Sequence, residues 1–417
     1  MAGRKRILFL GDSSVVNTGF AKCMRETLKR LSATGKYEIF ELGAGYKQWN
    51  DKREMMIPKQ PYPKWLDWSI YPIGGRLYGQ DCTAQFANLA QIDIVVPLLD
   101  PWMGSWLTCP ETYRDASGEP LTEETIKLIR NRKWKIAWWY PIDGLSVDGK
   151  FPIHQAKWMI GAEHLICFSE WGKKHTQINT GRDDVLCFPF GVDTNVFVPR
   201  DKEFCRRTIN FDKKLSNCKK YFVVFCGNAN RTRKDFPAAL EGFAKFAKDK
   251  NDAYLYLHTN VNGEGYDLVD LSQRMGLSGK VIIPEGITMQ QGVSEDDLCT
   301  IINASDVAMS VTRGEGRGMF PLEARACGKL CFTTNVASCT ELVCDEKELI
   351  KPAFWSIDGR NNIIRPFNDS NDIAEKLQWA YENKDNLINY RDVARDKAME
   401  SDWDLTSKGF EELFDNV

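Results

Sequence analysis

The sequence lacks several features that would place the protein in a specialised class. Its 417 residues include only four histidines, none at metal-ligand spacing, and its 13 cysteines are scattered singly without a C-x-x-C pair. No apolar run approaches the roughly 18 residues of a membrane span, and we find no internal repeat. The start, MAGRKRILFLGDSS, shows no secretory pattern and passes straight into a strand. We therefore expect a cytoplasmic protein with reduced thiols and no metal site.

Strong charge of either sign is also absent, because the formal net charge is only −2. A global attraction to nucleic acid or to a membrane surface is therefore not expected. Residues 1–200 hold 26 Lys and Arg against 22 Asp and Glu. This surplus is weak evidence for an anionic partner of the first half, and scatter of surface charge is the simpler explanation.

What the sequence does contain is a regular alternation of strand-like and helix-like segments. Apolar runs predict strands at 6–10, 37–42, 92–100, 134–143, 164–169, 221–226, 253–259, 280–284, 306–311 and 330–334. Helical spacing predicts a helix from Phe20 that stops at Gly35, and another over 235–249 with Asp235 as N-cap. These patterns indicate an α/β fold with two doubly wound sheets, whose ligands bind beyond the carboxyl ends of the strands.

The turn-rich segment 187–200 separates the two strand patterns. The chain is too long for one ordinary core, so we predict two domains and a tail. Their predicted bounds are 1–198, 199–395 and a final helical segment at 396–417.

A glycine-rich stretch, TRGEGRGMFPLEARACGK at 312–329, lies between two predicted strands. Pro321 fits the first turn of a short helix, and Gly328 can end it. Glu315 lies on the preceding loop, while Glu323 is expected in the first turn. Backbone N–H groups at such a helix start suit a diphosphate, and here they belong to Gly316, Gly318, Met319 and Phe320. The alternative is a capped helix with no ligand.

A basic loop, CGNANRTRKDF at 226–236, follows the strand YFVVFC. Its Arg231, Arg233 and Lys234 precede a helix at the carboxyl end of a strand. Arginine and lysine both suit a diphosphate leaving group. A solvated basic loop is the alternative interpretation.

Polar and aromatic residues also end the strands of the first half. GDSSVVNTGF at 11–20 offers Ser13, Ser14 and Gly19, although it matches neither a P-loop nor G-x-G-x-x-G. Asp100 and Trp102 lie at the end of one predicted strand and Asp143 at the end of another, where they could contact hydroxyls or sugar rings. Packing is the alternative for each aromatic side chain.

Four of these stretches, taken in order, resemble a known family. FPFGVDTNVFVP is similar to the linker of GT-B glycosyltransferases, and CGNANRTRKDFPAALEGFAKF to their basic loop and helix. TRGEGRGMFPLEARACGK resembles the E-x7-E motif of the retaining family 4 enzymes, and SCTELV the G-x-x-E segment that follows it. The resemblance covers residues 188–343. WWYPIDG and NRTRKDFP also resemble glycosyltransferase-like proteins encoded by large tailed phages, which would place the protein in the host cytoplasm.

The resemblance implies a GT-B fold, in which two Rossmann-like domains face each other across a cleft. The second domain would bind a nucleotide-diphosphate sugar, with UDP-sugar the expected donor and no cofactor or metal required. Glu323 would bind the ribose, Glu315 would face the sugar, and Arg233 with Lys234 would stabilise the leaving diphosphate. The other expected donor-side residues are Asn228, Arg231, Gly316, Gly318, Met319 and Phe320.

The first domain would bind the acceptor. The residues expected on this side are Ser13, Ser14, Gly19, Asp100 and Trp102. The family histidine of this domain is not apparent, and Asp143 of YPIDG is expected near the sugar in its place. The C-terminal helix would cross back onto the first domain.

The implied reaction moves a sugar to an acceptor hydroxyl with retention of configuration. Placement of the substrates and charge stabilisation suffice for it, and we disfavour Glu315 and Asp143 as nucleophiles. A hydroxymethylated DNA base, a glycan, a lipid or a protein all remain open as acceptor. The alternatives are a non-catalytic sugar-nucleotide or glycan-binding protein and a sugar-nucleotide epimerase on the same fold.

Overall fold

The structure, a computed structural model, describes residues 3–46, 48–49, 55–56, 64–209, 221–284, 287, 292–359 and 362–417. The chain forms two compact units. The first comprises Met1–Phe190 together with Trp403–Val417, and the second comprises Gly191–Asp402. None of the helices in the described ranges is both long enough and apolar enough to cross a membrane.

The first unit is an α/β unit with one large parallel sheet. Its strands are β1 (Lys5–Asp12), β2 (Tyr37–Ala44), a small antiparallel pair β3 (Gln48–Trp49) and β4 (Met55–Met56), β5 (Ser69–Pro72), β6 (Ile94–Pro97), β7 (Lys135–Tyr140), β8 (His164–Cys167) and β9 (Leu186–Cys187). Its first five helices are α1 (Gly19–Ala33), α2 (Thr83–Leu89), α3 (Glu123–Arg130), α4 (Gln155–Ile160) and α5 (Glu170–Thr180). The large sheet has the order β5-β2-β1-β6-β7-β8-β9 with every pair parallel.

Strand β1 and helix α1 form as their sequences predict. Leu8 and Leu10 of β1 join one buried cluster because alternate side chains of a strand point to the same face. Thr18 caps α1 by accepting a hydrogen bond from the Ala21 amide at 3.0 Å. Gly35 lies just beyond the helix with φ +66° and confirms the predicted stop.

The second unit repeats the architecture with a six-stranded parallel sheet. Its strands are β10 (Phe222–Gly227), β11 (Ala253–His258), β12 (Val281–Ile282), β13 (Val307–Ser310), β14 (Cys331–Thr334) and β15 (Leu349–Ile350). Its helices are α6 (Lys202–Ile209), α7 (Phe236–Ala247), α8 (Leu268–Arg274), α9 (Glu295–Ala304), α10 (Met319–Ala326), α11 (Ser370–Glu382) and α12 (Arg391–Met399). The order β12-β11-β10-β13-β14-β15 is the 3-2-1-4-5-6 order of a Rossmann sheet.

The core of the second unit has two layers, one on each face of the sheet. Val224 of β10 packs in one cluster, whereas Val223 and Phe225 pack in the other. A central strand that is buried on both faces has a continuous run of apolar residues. This explains why the sequence YFVVFC predicts β10 well.

An antiparallel hairpin in the second unit has no counterpart among the predicted strands. It consists of β16 (Pro352–Asp358) and β17 (Ile363–Asn368). Its base is tied to the glycine-rich loop: Arg365 Nη1 donates to the Arg313 carbonyl at 3.3 Å, and Asn368 Nδ2 donates to the Thr312 carbonyl at 3.1 Å.

The last helix, α13 (Trp403–Asn416), belongs to the first unit. Phe410 lies edge-on to Phe9 of β1 at 5.9 Å and to Trp139 of β7 at 5.0 Å. Tyr37 donates its hydroxyl hydrogen to Asp415 at 2.7 Å. These contacts bury one face of α13 against β1 and β7.

The compact units divide the chain at different residues from the predicted bounds of 198 and 396. The chain leaves the first unit at Phe190 because residues 191–200 bond to the second: the Val192 amide donates to the Ser401 carbonyl at 2.9 Å. The chain returns only at Trp403, because α12 packs with α10.

Asp235 stands at the N-cap position of α7 but does not cap it through its side chain. Its backbone is left-handed, with φ +36°, and its carboxylate accepts hydrogen bonds from the amide and side chain of Asn368 at 3.1 and 2.7 Å. The expected cap is therefore replaced by a tie between α7 and the end of β17.

Candidate functional site

The glycine-rich stretch forms a loop from the carboxyl end of β13 to the start of α10. The helix begins at Met319, with Pro321 in its first turn. Gly328, with φ +71°, follows its last turn and confirms the predicted end. Within the described residues, no acceptor lies opposite the backbone N–H groups of Gly316, Gly318 and Met319. Amides at such a helix start could bind the anion that the sequence predicts, and this role stays a prediction.

The basic loop after β10 meets this loop directly. Lys234 forms a buried ion pair with Glu315 Oε1, and Arg233 Nη1 lies 3.2 Å from Oε2 of the same carboxylate. Arg233 Nη1 also donates to the Gly314 carbonyl at 2.6 Å. Three of the sequence-predicted residues therefore form one cluster beside the start of α10. Glu315 partly neutralises the two cations within it.

Hydrogen bonds to backbone groups fix the position of the glycine-rich loop relative to the basic loop and to β14. The Arg313 amide donates to the Arg233 carbonyl at 2.7 Å, and the Thr312 amide donates to Thr334 Oγ1 of β14 at 3.0 Å. Ser338 donates its hydroxyl hydrogen to the Glu315 carbonyl at 2.7 Å. Ser338 belongs to the SCTELV segment, and its role as a brace of the loop is not apparent from the sequence.

The remaining residues predicted on the donor side differ in their surroundings. Asn228 directly follows β10, and its Nδ2 lies 3.5 Å from the Val311 carbonyl. Phe320 stacks its ring on Phe225 at 4.9 Å, so its side chain is part of the core. Arg231 points elsewhere, with Nη1 3.7 Å from an exposed Glu264 carboxylate.

Glu323 differs from its predicted position. It is the fifth residue of α10, in the second turn, and it is buried. The sequence predicts the first turn because Pro321 favours a helix that starts at Phe320, whereas the helix begins at Met319 and Pro321 is its third residue. The eight residues from Gly316 to Glu323 are therefore three loop residues and the first five residues of α10, which places Glu323 in the second turn.

A histidine that the sequence analysis did not single out ends the neighbouring strand β11. The His258 ring stacks near Phe225 at 5.9 Å, and its Nδ1 is buried without a hydrogen-bond partner among the described residues. Burial lowers the pKa of His258 from its usual 6.5 to about 4. The ring is therefore neutral at physiological pH.

In the first unit, the loop after β1 is organised by a buried carboxylate that the sequence analysis missed. Glu41 of β2 accepts hydrogen bonds from Ser13 Oγ at 2.9 Å, Ser14 Oγ at 2.7 Å, the Ser14 amide at 2.8 Å and Trp68 Nε1 at 2.7 Å. Burial raises the pKa of Glu41, and these donors oppose the shift. Ser13 and Ser14 are wholly buried and direct their hydroxyls to Glu41.

The two glycines of that loop serve local structure. A Cβ atom at Gly11 would lie 2.9 Å from the Leu98 carbonyl, so the absence of a side chain allows β1 and the end of β6 to approach. Gly19 is the first residue of α1.

The other two residues predicted on the acceptor side, and Asp143, which is predicted near the sugar, follow neighbouring strands at the same edge of the sheet. Asp100 and Trp102 come after β6, and Asp143 comes after β7. The Trp102 side chain is 46% exposed, and its ring meets Tyr78 edge-on at 5.7 Å. Burial, with a smaller contribution from the nearby Asp100 carboxylate, raises the pKa of Tyr78.

Among the described residues, no group of three or more His, Cys, Asp or Glu side chains is placed to hold a metal ion. The twelve cysteines of these ranges are free thiols.

The site lies within a region that matches a known family model. Residues 206–398 match the model described as Glycosyl transferases group 1. This stretch is therefore similar to a glycosyltransferase group 1 domain. It contains both loops of the Glu315 cluster, and it ends within α12. No curated protein matches the chain.

Solved structures with the same fold align with residues 206–398 and also with the rest of the chain. Sucrose-phosphate synthase from Thermosynechococcus elongatus superposes with a TM-score of 0.70 at 13% identity, covering 99% of both chains. Anabaena HepE in complex with UDP gives 0.65 at 14% identity, covering 99% of this chain and 100% of HepE. An E. coli structure described as "Trehalose-6-phosphate from E. coli bound with UDP-2-fluoro glucose" gives 0.67 at 11% identity, covering 99% of each. At these identities the likeness shows the fold, which is GT-B with two Rossmann-like halves.

Proposed function

We propose that the protein is a retaining glycosyltransferase of the family 4 type. In this proposal it moves a sugar from a nucleotide-diphosphate donor, with UDP-sugar the expected donor, to an acceptor hydroxyl. The matched group 1 domain supports the transferase activity. The UDP and UDP-2-fluoro glucose that relatives of the same fold bind support the choice of donor.

One observation carries the proposal: Arg233 and Lys234 converge on Glu315 beside free amides at the start of α10. The cationic side chains of Arg233 and Lys234 and the partial positive charge at the start of α10 together exceed the single negative charge of Glu315. A diphosphate supplies the matching negative charge and enough acceptor oxygens for both loops.

The proposed reaction relies on placement and on stabilisation of the leaving group. The bond between the anomeric carbon and the phosphate oxygen breaks as the acceptor oxygen bonds to the same face, and the acceptor proton passes to the leaving phosphate. Lys234 and Arg233 stabilise the charge that develops on that phosphate. Glu323 accepts hydrogen bonds from the ribose, and Glu315 faces the sugar once the diphosphate has taken over its cations. The role of Asp143 near the sugar rests on the family resemblance.

For the acceptor, we propose a neutral glycan in preference to nucleic acid. Among the described residues, Asp12, Asp100 and Asp143 end or follow strands at the carboxyl edge of the first sheet, and the exposed Trp102 follows one of these strands. Carboxylates and an aromatic face suit sugar hydroxyls and sugar rings, whereas they repel phosphates. Several basic residues of the unit lie instead at the amino ends of strands, namely Arg4, Lys5, Arg6, Lys133 and Lys135.

The test is incubation with a panel of nucleotide sugars and neutral glycans, with released nucleoside diphosphate and the product's anomeric configuration as readouts. We expect diphosphate release that depends on an acceptor, with the donor configuration retained. Conversion of the donor sugar without an acceptor would identify an epimerase. Donor binding without release under any acceptor would identify a binding protein.

A further inference from the structure

The amino end of α10 is tied to a distant part of the chain through Arg317. This residue lies between Gly316 and Gly318, and its side chain is only 7% exposed. Arg317 Nη2 donates to Ser401 Oγ at 2.6 Å, and Nη1 lies 3.4 Å from Glu341 Oε2. The Arg317 guanidinium, in the middle of the proposed phosphate loop, therefore points toward Ser401, two residues before the chain returns to the first unit at Trp403.

Ser401 belongs to the place where the chain passes between the two units. The outgoing segment, residues 191–197, and the return segment, residues 399–402, pair with each other here. The Val192 amide donates to the Ser401 carbonyl at 2.9 Å, and Thr194 Oγ1 donates to Asp402 Oδ2 at 2.6 Å. Every covalent connection between the units runs through these two segments.

The carboxyl end of α10 is tied to the same place by a second arginine. Arg395 of α12 donates from Nη1 to the Ala326 carbonyl at 2.8 Å and to the Phe197 carbonyl at 3.1 Å. Its Nη2 donates to the Thr194 carbonyl at 3.0 Å. One guanidinium thus joins the last turn of α10 to the outgoing segment through charge-assisted hydrogen bonds.

We propose that Arg317 and Arg395 are positioning residues that couple the donor loop to the outgoing and return segments. A short helix held at both ends moves as one body, so a ligand that fixes its amino end also restrains the segments to which its two ends are bonded. Coupling is reciprocal, so the state of these segments in turn sets the affinity of the loop for the donor. This inference rests on the proposed function, because it takes the ligand of the loop to be a nucleoside diphosphate.

The test is hydrogen–deuterium exchange of the full chain with and without saturating UDP. In the native protein we expect UDP to slow exchange of residues 191–197 and 399–402 by about fivefold or more. In Ser401→Ala, which removes only the hydroxyl that Arg317 contacts, we expect the slowing to fall below about twofold and the Kd for UDP to rise about three- to tenfold.

Two further variants show whether the effect is specific to the contact between Arg317 and Ser401. Ser370→Ala is the matched control, because Ser370 is a similarly buried serine of the second unit that contacts Lys245; its exchange response should equal that of the native protein. Arg317→Lys keeps the positive charge but lacks the several N–H donors of the guanidinium. The slowing of exchange by UDP in this variant should therefore lie between that of the native protein and that of Ser401→Ala.

The outcomes separate the inference from the proposed function. If UDP binds the native protein but leaves exchange in both segments unchanged, the coupling is wrong. An equal response in Ser401→Ala and the native protein would also overturn it. If the native protein binds no UDP, the proposed function fails and the inference fails with it.

Discussion

At the scale of single residues, the candidate site depends on a carboxylate that occupies the place proposed for an anion. Glu315 is 10% exposed and pairs with Lys234 and Arg233. The sequence alone indicates that these three residues could converge on one site, since both loops follow predicted strands in the same half of the chain. It does not predict that the carboxylate and the cations touch, because that contact depends on how the two loops fold over the sheet edge.

The Glu315 pairing gives a prediction with opposite effects on binding and turnover. Glu315→Gln removes the charge that competes with the donor, so we expect the Kd for UDP to fall about three- to tenfold. Sugar transfer should fall by at least about tenfold, because Glu315 no longer faces the sugar. Calorimetric titration and initial rates measure the two effects. Weaker UDP binding in Glu315→Gln would show that Glu315 does not compete with the donor for the two cations.

Lys234 is expected to act on the leaving group more than on binding. Lys234→Met should lower kcat by about 100-fold or more, with a smaller change in the Kd for the donor sugar nucleotide. Arg231→Ala is the control, because the Arg231 side chain is 57% exposed and its Nη1 lies 3.7 Å from the exposed Glu264 carboxylate; its kcat should change less than about threefold. Single-turnover kinetics decide the matter, and an unchanged rate in Lys234→Met would remove its proposed role.

His258 gives the protein a stability term that depends on pH. Its folded pKa of about 4 lies below the usual 6.5, so the unfolded chain binds the proton more tightly. Stability is therefore lost as pH falls from about 6.5 to 4, by up to about 3 kcal/mol. In His258→Phe this part of the pH dependence should disappear, as measured by urea unfolding between pH 7 and pH 4. Equal pH dependence in both proteins would show that another group is responsible.

At the scale of elements, strands buried on both faces were the easiest to predict. The ten predicted strands all occur, with shifts of a few residues at their ends, because apolar runs between turn residues describe parallel strands well. The short strands β5, β9 and β15 and the exposed hairpin β16–β17 were missed, because they lack a long apolar run. Contacts between distant segments, such as Glu41 with the loop after β1, are likewise absent from any local pattern.

Glu41 illustrates how one buried side chain holds an element in place. Glu41→Ala leaves two buried hydroxyls and an indole N–H without their acceptor, which should cost about 3 kcal/mol of unfolding free energy. Glu38→Ala on the same strand removes only an exposed pair with Arg6 and should cost less than about 1 kcal/mol. Denaturant unfolding compares the two variants, and equal losses would show that the Glu41 hydrogen bonds add no stability.

At the scale of the whole molecule, two similar α/β units carry different charges at the carboxyl ends of their parallel strands. The second unit gathers Arg233, Lys234 and free amides, whereas the first places Asp12, Asp100 and Asp143 after its strands. The surplus of basic residues in the first half weakly suggested an anionic partner. Several of these basic residues lie at the opposite, amino ends of the strands, which a charge count cannot reveal.

This charge distribution predicts that nucleic acid is a poor ligand. At about 50 mM salt we expect no binding of duplex DNA below about 100 μM, because few phosphates can be neutralised at the edge that would bind the acceptor. Fluorescence anisotropy with a labelled duplex measures it. Micromolar binding that weakens steeply with added salt would contradict the glycan proposal and favour a DNA acceptor.

The central claim is that Arg233 and Lys234, which pair with Glu315 beside α10, form the binding site of a diphosphate. Calorimetric titration of UDP and of uridine, into the native protein and into the double variant Arg233→Ala/Lys234→Met, tests it most directly. We predict that the native protein binds UDP at least about 100-fold more tightly than uridine, a difference of about 2.7 kcal/mol or more, and that the double variant loses most of this difference. Equal affinity for UDP and uridine in the native protein, or a preference for UDP that survives in the double variant, would contradict the account.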